Sequence, residues 1–504
     1  MSQIRRQSII SSLVVYMGFA LGFLNTYLFT REGGFTKEQY GLTGIFIAVA
    51  TLMFSFANVG MTSYIYKFYP YYKENLDTKK NDILSWALLV SLVSFCLVVI
   101  AGIYFKDLII YKFGSNSPEF VKYFYWVFPF GLGLTLYSIL ESYAWQLKKS
   151  ILTNYLREIQ FRLFTTILIV LTFAGFLGDF DLFIKIYSFT YLGIALILLT
   201  YLLSKGYLHL TFTVSIVTKK FSKKILTLIK FVYGGTLVFA ISGVFDTLVL
   251  ASVATNGLAA VAVYSLAQNM ASLIQAPQRG IISSSIAALS QAWKDKDTTR
   301  ILRIYRQSSI NQLIFAVGMF SLIWLNFADG IFTFKLQEGY LDAKWVFFFI
   351  GLMRIVDMVT GVNSQIISTS TLWKFEFFTG ILLLLITLPL NYVLTKYYFG
   401  VLGPAIANLF TFSVYNAIRF WYLKYKFNMQ PFTMASLYTV LLGIGSFLVC
   451  YFLFNRFHGF WWLVLRSTTF LALYASGTML LKLSSDILPV WQSIQNKLGM
   501  KKGE

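Results

Sequence analysis

The stretch Leu258 to Ala288, LAAVAVYSLAQNMASLIQAPQRGIISSSIAA, decides how the rest of the chain is read. It is long and apolar, yet it carries Gln268, Asn269, Gln275, Gln278 and Arg279, with Pro277 just ahead of the arginine and Gly280 just after it. A cation at bilayer depth costs about 2.5–3.5 kcal/mol on insertion scales, so such residues face a watery cavity or a partner. Gln268, Gln275 and Arg279 share one face of a continuous helix. The reading is a cavity wall, broken by Pro277, that accepts an anionic group. Arginine suits phosphate because its planar fork donates two parallel hydrogen bonds and never loses its charge. A guanidinium that snorkels to cytosolic headgroups is the competing reading.

Working outward, the 504 residues are 57% hydrophobic and only 12% charged, with a mean hydropathy of +0.67. Ordinary soluble domains carry charge on about a quarter of their residues, so this is a membrane chain. The formal net charge of +21 does not point to nucleic acid, because the cations collect in short segments between apolar runs. Two cysteines, Cys96 and Cys450, lie far apart in apolar surroundings and form no disulfide framework. With two histidines, no metal site or cofactor is expected.

Fourteen apolar runs are long enough to span a bilayer, which takes about 20 residues. They fall near 9–29, 41–66, 83–105, 121–145, 159–177, 183–204, 225–253, 258–288, 310–332, 343–368, 376–396, 400–423, 433–454 and 460–481. Arg5 and Arg6 precede the first run, and no small-residue cleavage site follows it, so it reads as an uncleaved helix. With the N-terminus inside, the cytosolic segments hold roughly 26 Lys and Arg against roughly 7 outside. Both termini are therefore expected in the cytosol. Lys219, Lys220, Lys223 and Lys224 and the stretch Lys294 to Arg306 are the strongest topology anchors, touching anionic lipid.

A faint repeat at an offset of about 220 residues lays the second run on the eighth and Gly60 on Gly280. Six helices per unit gives both units one orientation, as in repeats related by an axis along the membrane normal. The expected organisation is all-α: a lobe over 1–208, a second over 209–425, and two extra helices with a tail over 426–504.

Other polar residues inside the runs are Asn25 of the first and Asn58 of the second, both read as cavity candidates. Asp246 either carries a coupling ion or neutralises a neighbouring cation. Arg354 and Asp357, three apart, are positioned for an intramembrane pair. Glu158 and Arg162 are expected to pair locally, whereas Glu141, Lys230 and Arg419 are read as snorkelling from helix ends. Gly18 and Gly22 permit a close helix contact. No phosphate loop, zinc spacing or nucleophile elbow occurs, so no catalytic residue is assigned.

Three motifs carry a resemblance. Thr36 to Leu42 (TKEQYGL) resembles the E-x-Y-G opening of helix two in polysaccharide flippases of the Wzx type. Val261 to Ala267 (VAVYSLA) is similar to their G-x-Y-x-x-A, with Ala262 for the usual glycine. Tyr398 to Ala407 (YFGVLGPAIA) resembles F-G-x-x-G-A-A-x-A, with Pro404 departing. The resemblance implies the multidrug/oligosaccharidyl-lipid/polysaccharide (MOP, MATE-like) superfamily. For a flippase it implies movement of an undecaprenyl-pyrophosphate-linked oligosaccharide across the bacterial inner membrane by alternating access, through a cationic cavity, for polysaccharide or O-antigen biosynthesis. Arg279 is the position matched to that cavity. The partners so implied are the lipid-linked substrate, membrane lipids and other polysaccharide-assembly proteins. Two alternatives stay open. One is a cation-coupled multidrug antiporter using Asp246, although the first run holds no acid between Ile9 and Phe29. The other is a membrane polysaccharide polymerase, which would be expected to need a large outer loop.

Overall fold

The break at Val59 and Gly60 sets the pattern of the molecule: an apolar run long enough for one helix is divided where the backbone turns left-handed. The computed structural model describes residues 3–211 and 213–484, without the side chains of 3–13, 231, 232, 235, 239, 279, 283, 284, 287, 373 and 377. Among the described residues the chain is helical and contains no β-strand. It divides into two compact units, Met1–Ala262 and Val263–Glu504.

The first unit contains α1 (Gln3–Thr30), α2 (Lys37–Asn58), α3 (Met61–Asn75), α4 (Ile83–Tyr104), the short α5 (Lys106–Phe113) and α6 (Pro118–Lys122), and α7 (Val127–Gln146). It continues with α8 (Ser150–Asn154), a π-helical turn at Tyr155–Gln160, α9 (Phe161–Phe173), α10 (Phe180–Tyr187), α11 (Thr190–Ser204) and α12 (Ile216–Val253). α2 begins with a capping box: Gln39 N–H donates to the Thr36 hydroxyl at 3.2 Å, and Thr36 N–H donates to the Gln39 side chain at 2.9 Å. Those two bonds satisfy orphan amide groups at the helix start. It ends with Val59 at φ 43° and Gly60 at φ 73°. Asn58 spans the break, its Oδ1 accepting from Thr62 N–H at 3.1 Å. Tyr64, Phe68 and Tyr72 of α3 then pack into the core with Ile83, Tyr137 and Leu198.

α13 (Gly257–Ile274) crosses the division between the units, and α14 (Gln278–Lys294) follows a turn at residues 275–277. The reason is Pro277, which has no N–H to give the helix and clashes with the preceding turn. Gln268 and Arg279 therefore stand on two successive helices rather than on one continuous helix. The second unit continues with α15 (Thr298–Thr333), α16 (Ala343–Val359), α17 (Asn363–Thr369), α18 (Trp373–Val393), a second π turn at Leu394–Phe399, and α19 (Gly403–Phe427). α20 (Met434–Phe454) and α21 (Phe460–Leu480) pack on α15 through Leu313, Val317, Phe470 and Tyr474.

Each of the fourteen apolar runs falls on helix, whole or broken. Among the described residues nine helices are long and apolar enough to cross a membrane, or ten if α16 and α17, bent by 47°, count as one span. The runs 376–396 and 400–423 form one continuous helical segment, Lys374–Phe427, across the π turn. Between α4 and α7 the chain forms the short helices α5 and α6 rather than a bare connector.

Candidate functional site

A polar network inside the second unit joins five segments. Gln275, in the turn before α14, donates to Gln278 Oε1 at 2.6 Å, and Gln278 donates to Asp357 Oδ2 at 3.0 Å. Asn416 of α19 donates to the other oxygen of Asp357 at 3.3 Å. The Asn416 carbonyl oxygen in turn accepts from Asn363 at 3.1 Å and lies 3.0 Å from the Thr360 hydroxyl. The bend between α16 and α17 makes this possible, since it turns Thr360 and Asn363 toward α19. Asp357 gives both carboxylate oxygens to side-chain amides from other helices.

Beside it lies a buried ion pair. Arg419 of α19 contacts the Glu376 carboxylate and the Tyr415 hydroxyl through Nη2, and its guanidinium sits 3.7 Å from the Tyr415 ring centroid. The Ser364 hydroxyl donates to the same Glu376 oxygen at 2.6 Å. Arg419 is buried, so the snorkelling reading is corrected. At this depth the guanidinium is held by a carboxylate from α18, because a charge out of water persists only when paired.

The first unit holds a separate charged group near the π turn. Arg162 pairs with Glu158, as expected of their spacing, and its Nη1 donates to the Glu158 carbonyl at 2.9 Å. Gly18 and Gly22 of α1 seat that guanidinium: a Cβ at Gly18 would lie 2.6 Å from Arg162 Nη1. Asn25 donates to the Arg162 carbonyl at 3.0 Å and accepts from Thr166 at 2.6 Å. Glu141 is buried and pairs with Arg157 at 3.2 Å, which corrects its reading as a snorkelling residue too. π turns of this kind recur at functional sites, because they displace the helical register and turn side chains inward.

The sequence candidates are thus distributed. Gln275 and Asp357 come together with Gln278. Asn25 and Asn58 stitch helices within the first unit, and Asp246 is buried in α12. Gln268 is half-buried on α13, and Arg354 is half-buried on α16. Arg279 follows Gln278 in the first turn of α14, and its side chain lies outside the described residues. Sequence reasoning missed Asn416 and Glu376. The available signal was Asn416 and Arg419 standing three apart, so that both face one side of α19.

No family model and no curated protein matches the sequence. Solved structures do match. The lipid II flippase MurJ in an inward closed conformation superposes with a TM-score of 0.74 at 17% identity, covering 94% of this chain and 98% of that one. An inward-facing MATE family multidrug resistance transporter of the MOP superfamily superposes with a TM-score of 0.62 at 15% identity, covering 83% and 97%. The fold is that of the MOP transporters. A shared fold leaves the cargo to the side chains. The amides and hydroxyls around Asp357 hold one another at fixed positions, with Gln278, Thr360, Asn363 and Asn416 buried.

Proposed function

We propose that the chain moves an undecaprenyl-pyrophosphate-linked oligosaccharide across the bacterial inner membrane by alternating access, for polysaccharide or O-antigen assembly. In this reading the lobes are 1–208 and 209–425, both termini are cytosolic, and the polysaccharide-assembly machinery supplies the substrate. The observation that carries it is the amide-rich network of Gln275, Gln278, Asp357 and Asn416 within the helices of a chain of this fold. Arg279, next in sequence to Gln278, supplies the fixed positive charge that a pyrophosphate needs. The absence of any acid from Ile9 to Phe29 weighs against a drug antiporter that uses one there.

The test is export of lipid-linked sugar by proteoliposomes and by cells lacking their own flippase. Arg279→Ala is expected to reduce export by on the order of tenfold or more, since a charged hydrogen bond contributes about 1.5–3 kcal/mol. Unchanged export at equal membrane levels removes Arg279 from the mechanism. Efflux of cationic dyes with no flipping by the wild-type protein overturns the proposal.

A further inference from the structure

The charged pair at the π turn of the first unit is open on one side, and that side is aromatic. Glu141 of α7 is buried, with 7% of its side chain exposed, while Arg157 of the π turn keeps 48% of its own exposed. Arg157 is nevertheless no outer-surface residue. Tyr137 and Glu141 of α7, Tyr191 of α11 and Glu158 of its own turn all lie within electrostatic reach of it. The Tyr66 hydroxyl of α3 lies within reach of both Glu141 and Arg157. A side chain surrounded by groups from three other helices and still half-exposed lines a concavity. One Arg157 N–H goes to Glu141 at 3.2 Å, and among the described residues its other four have no partner.

Tyr66 and Trp145 supply the aromatic part. Their rings are parallel within 16°, with centroids 5.9 Å apart. Rings stacked face on face lie nearer, so these two are offset, and each stays open, at 40% and 42% exposed. Trp145 is fixed in place: its Nε1–H donates to the Thr153 hydroxyl at 2.8 Å, and Tyr137 donates to the Thr153 carbonyl at 2.6 Å. Rings of an interfacial belt hold their polar tips among headgroups, whereas the Tyr66 hydroxyl comes within reach of the buried Glu141. The occupant follows from what these groups need. An acyl chain would cover the rings and leave the free N–H groups of Arg157 unmet. A phosphate would take those N–H groups but meet two carboxylates, because Glu141 and Glu158 already balance Arg157 and Arg162. A pyranose ring has both an apolar C–H face and uncharged hydroxyls, and aromatic walls with a few placed donors suit it. We propose that Tyr66, Trp145 and Arg157 form a sugar subsite for one uncharged hexose ring, its C–H face on the aromatic pair and its hydroxyl oxygens on the guanidinium. This rests on a lipid-linked oligosaccharide as the cargo, and it assigns part of the glycan, rather than the pyrophosphate, to the first unit.

The test is native mass spectrometry of the full-length protein from nanodiscs with four probes: farnesyl pyrophosphate, and the same lipid carrying one glucose, galactose or N-acetylglucosamine. At least one sugar-bearing probe is expected to bind wild type on the order of tenfold more tightly than farnesyl pyrophosphate, as a hydrogen bond to a charged group allows. Trp145→Leu brings that ratio to near one, whereas Trp145→Phe, which keeps a ring, retains most of it. Arg157→Gln with Glu141→Gln, which removes both charges together, also lowers it. The wild-type ratio stands even if a variant fails to fold. A wild-type ratio near one for all three sugars, or a full ratio in Trp145→Leu, overturns the subsite while leaving the cargo reading in place. Binding of none of the four probes overturns the cargo reading, and the subsite with it.

Discussion

Arg419 and Glu376 show what a single buried charge demands. Removing one partner leaves the other without water or counter-charge, which costs about 3–5 kcal/mol in buried pairs. Arg419→Ala is therefore expected to lower thermal stability in detergent markedly, and Arg419→Met with Glu376→Leu to recover much of the loss. A double variant no more stable than the single would show that the pair is not the cause. Glu119, outside the spans in α6, behaves differently. Burial, then the charge of Glu38, raises its pKa above the ordinary carboxylate value, and its Oε2 is buried without a partner. A carboxylate whose folded pKa is raised favours folding below the ordinary range and loses that contribution as pH rises through the folded value. Glu119→Gln should thus be more stable than wild type at pH 7 and no more stable at pH 4. Unfolding curves at the two pH values check the sign.

Among the elements, the start of α2 has the tightest constraint. A Cβ placed on Gly41 would lie 1.8 Å from the carbonyl oxygen of Leu258, so the two backbones approach as only glycine allows. Gly41→Ala must push α2 from the start of α13, with an expected loss of about 1–3 kcal/mol, as for other overpacked contacts. Thermal unfolding of the purified variant measures it; an unchanged midpoint would mean that the contact yields. The same contact gives the E-x-Y-G motif a physical meaning. Tyr40 is buried and Gly41 admits a neighbouring backbone. Tyr40 and Gly41, which carried part of the family resemblance, are packing residues, and the polar network lies elsewhere.

On the scale of the whole molecule, the distribution of Lys and Arg predicts that both termini face the cytosol. Green fluorescent protein fused after Glu504 should fluoresce, and alkaline phosphatase at the same position should be inactive; the reverse would invert the topology. The extra helices α20 and α21 are tied to α15 by more than apolar packing. Arg466 of α21 pairs with Asp329, and its Nε donates to Asn326 Oδ1 at 2.9 Å. A window over an apolar run does not register the turns at Val59, Pro277 and Gly361, so the runs read from hydropathy overshoot the helices there.

Composition, spacing and motifs were enough to specify an all-helical membrane chain, its apolar runs and the polar character of Leu258 to Ala288, because hydropathy and helix periodicity are local properties. They also marked Pro277 as a break and Glu158 with Arg162 as a pair, both local effects within one turn. Only the tertiary structure decided which polar groups meet. Asp357 takes its partners from Gln278 and Asn416, 79 and 59 residues away, and Arg419 takes Glu376 from another helix. Those choices follow from how broken helices pack, and burial leaves a polar atom no alternative to the partner that packing brings within reach.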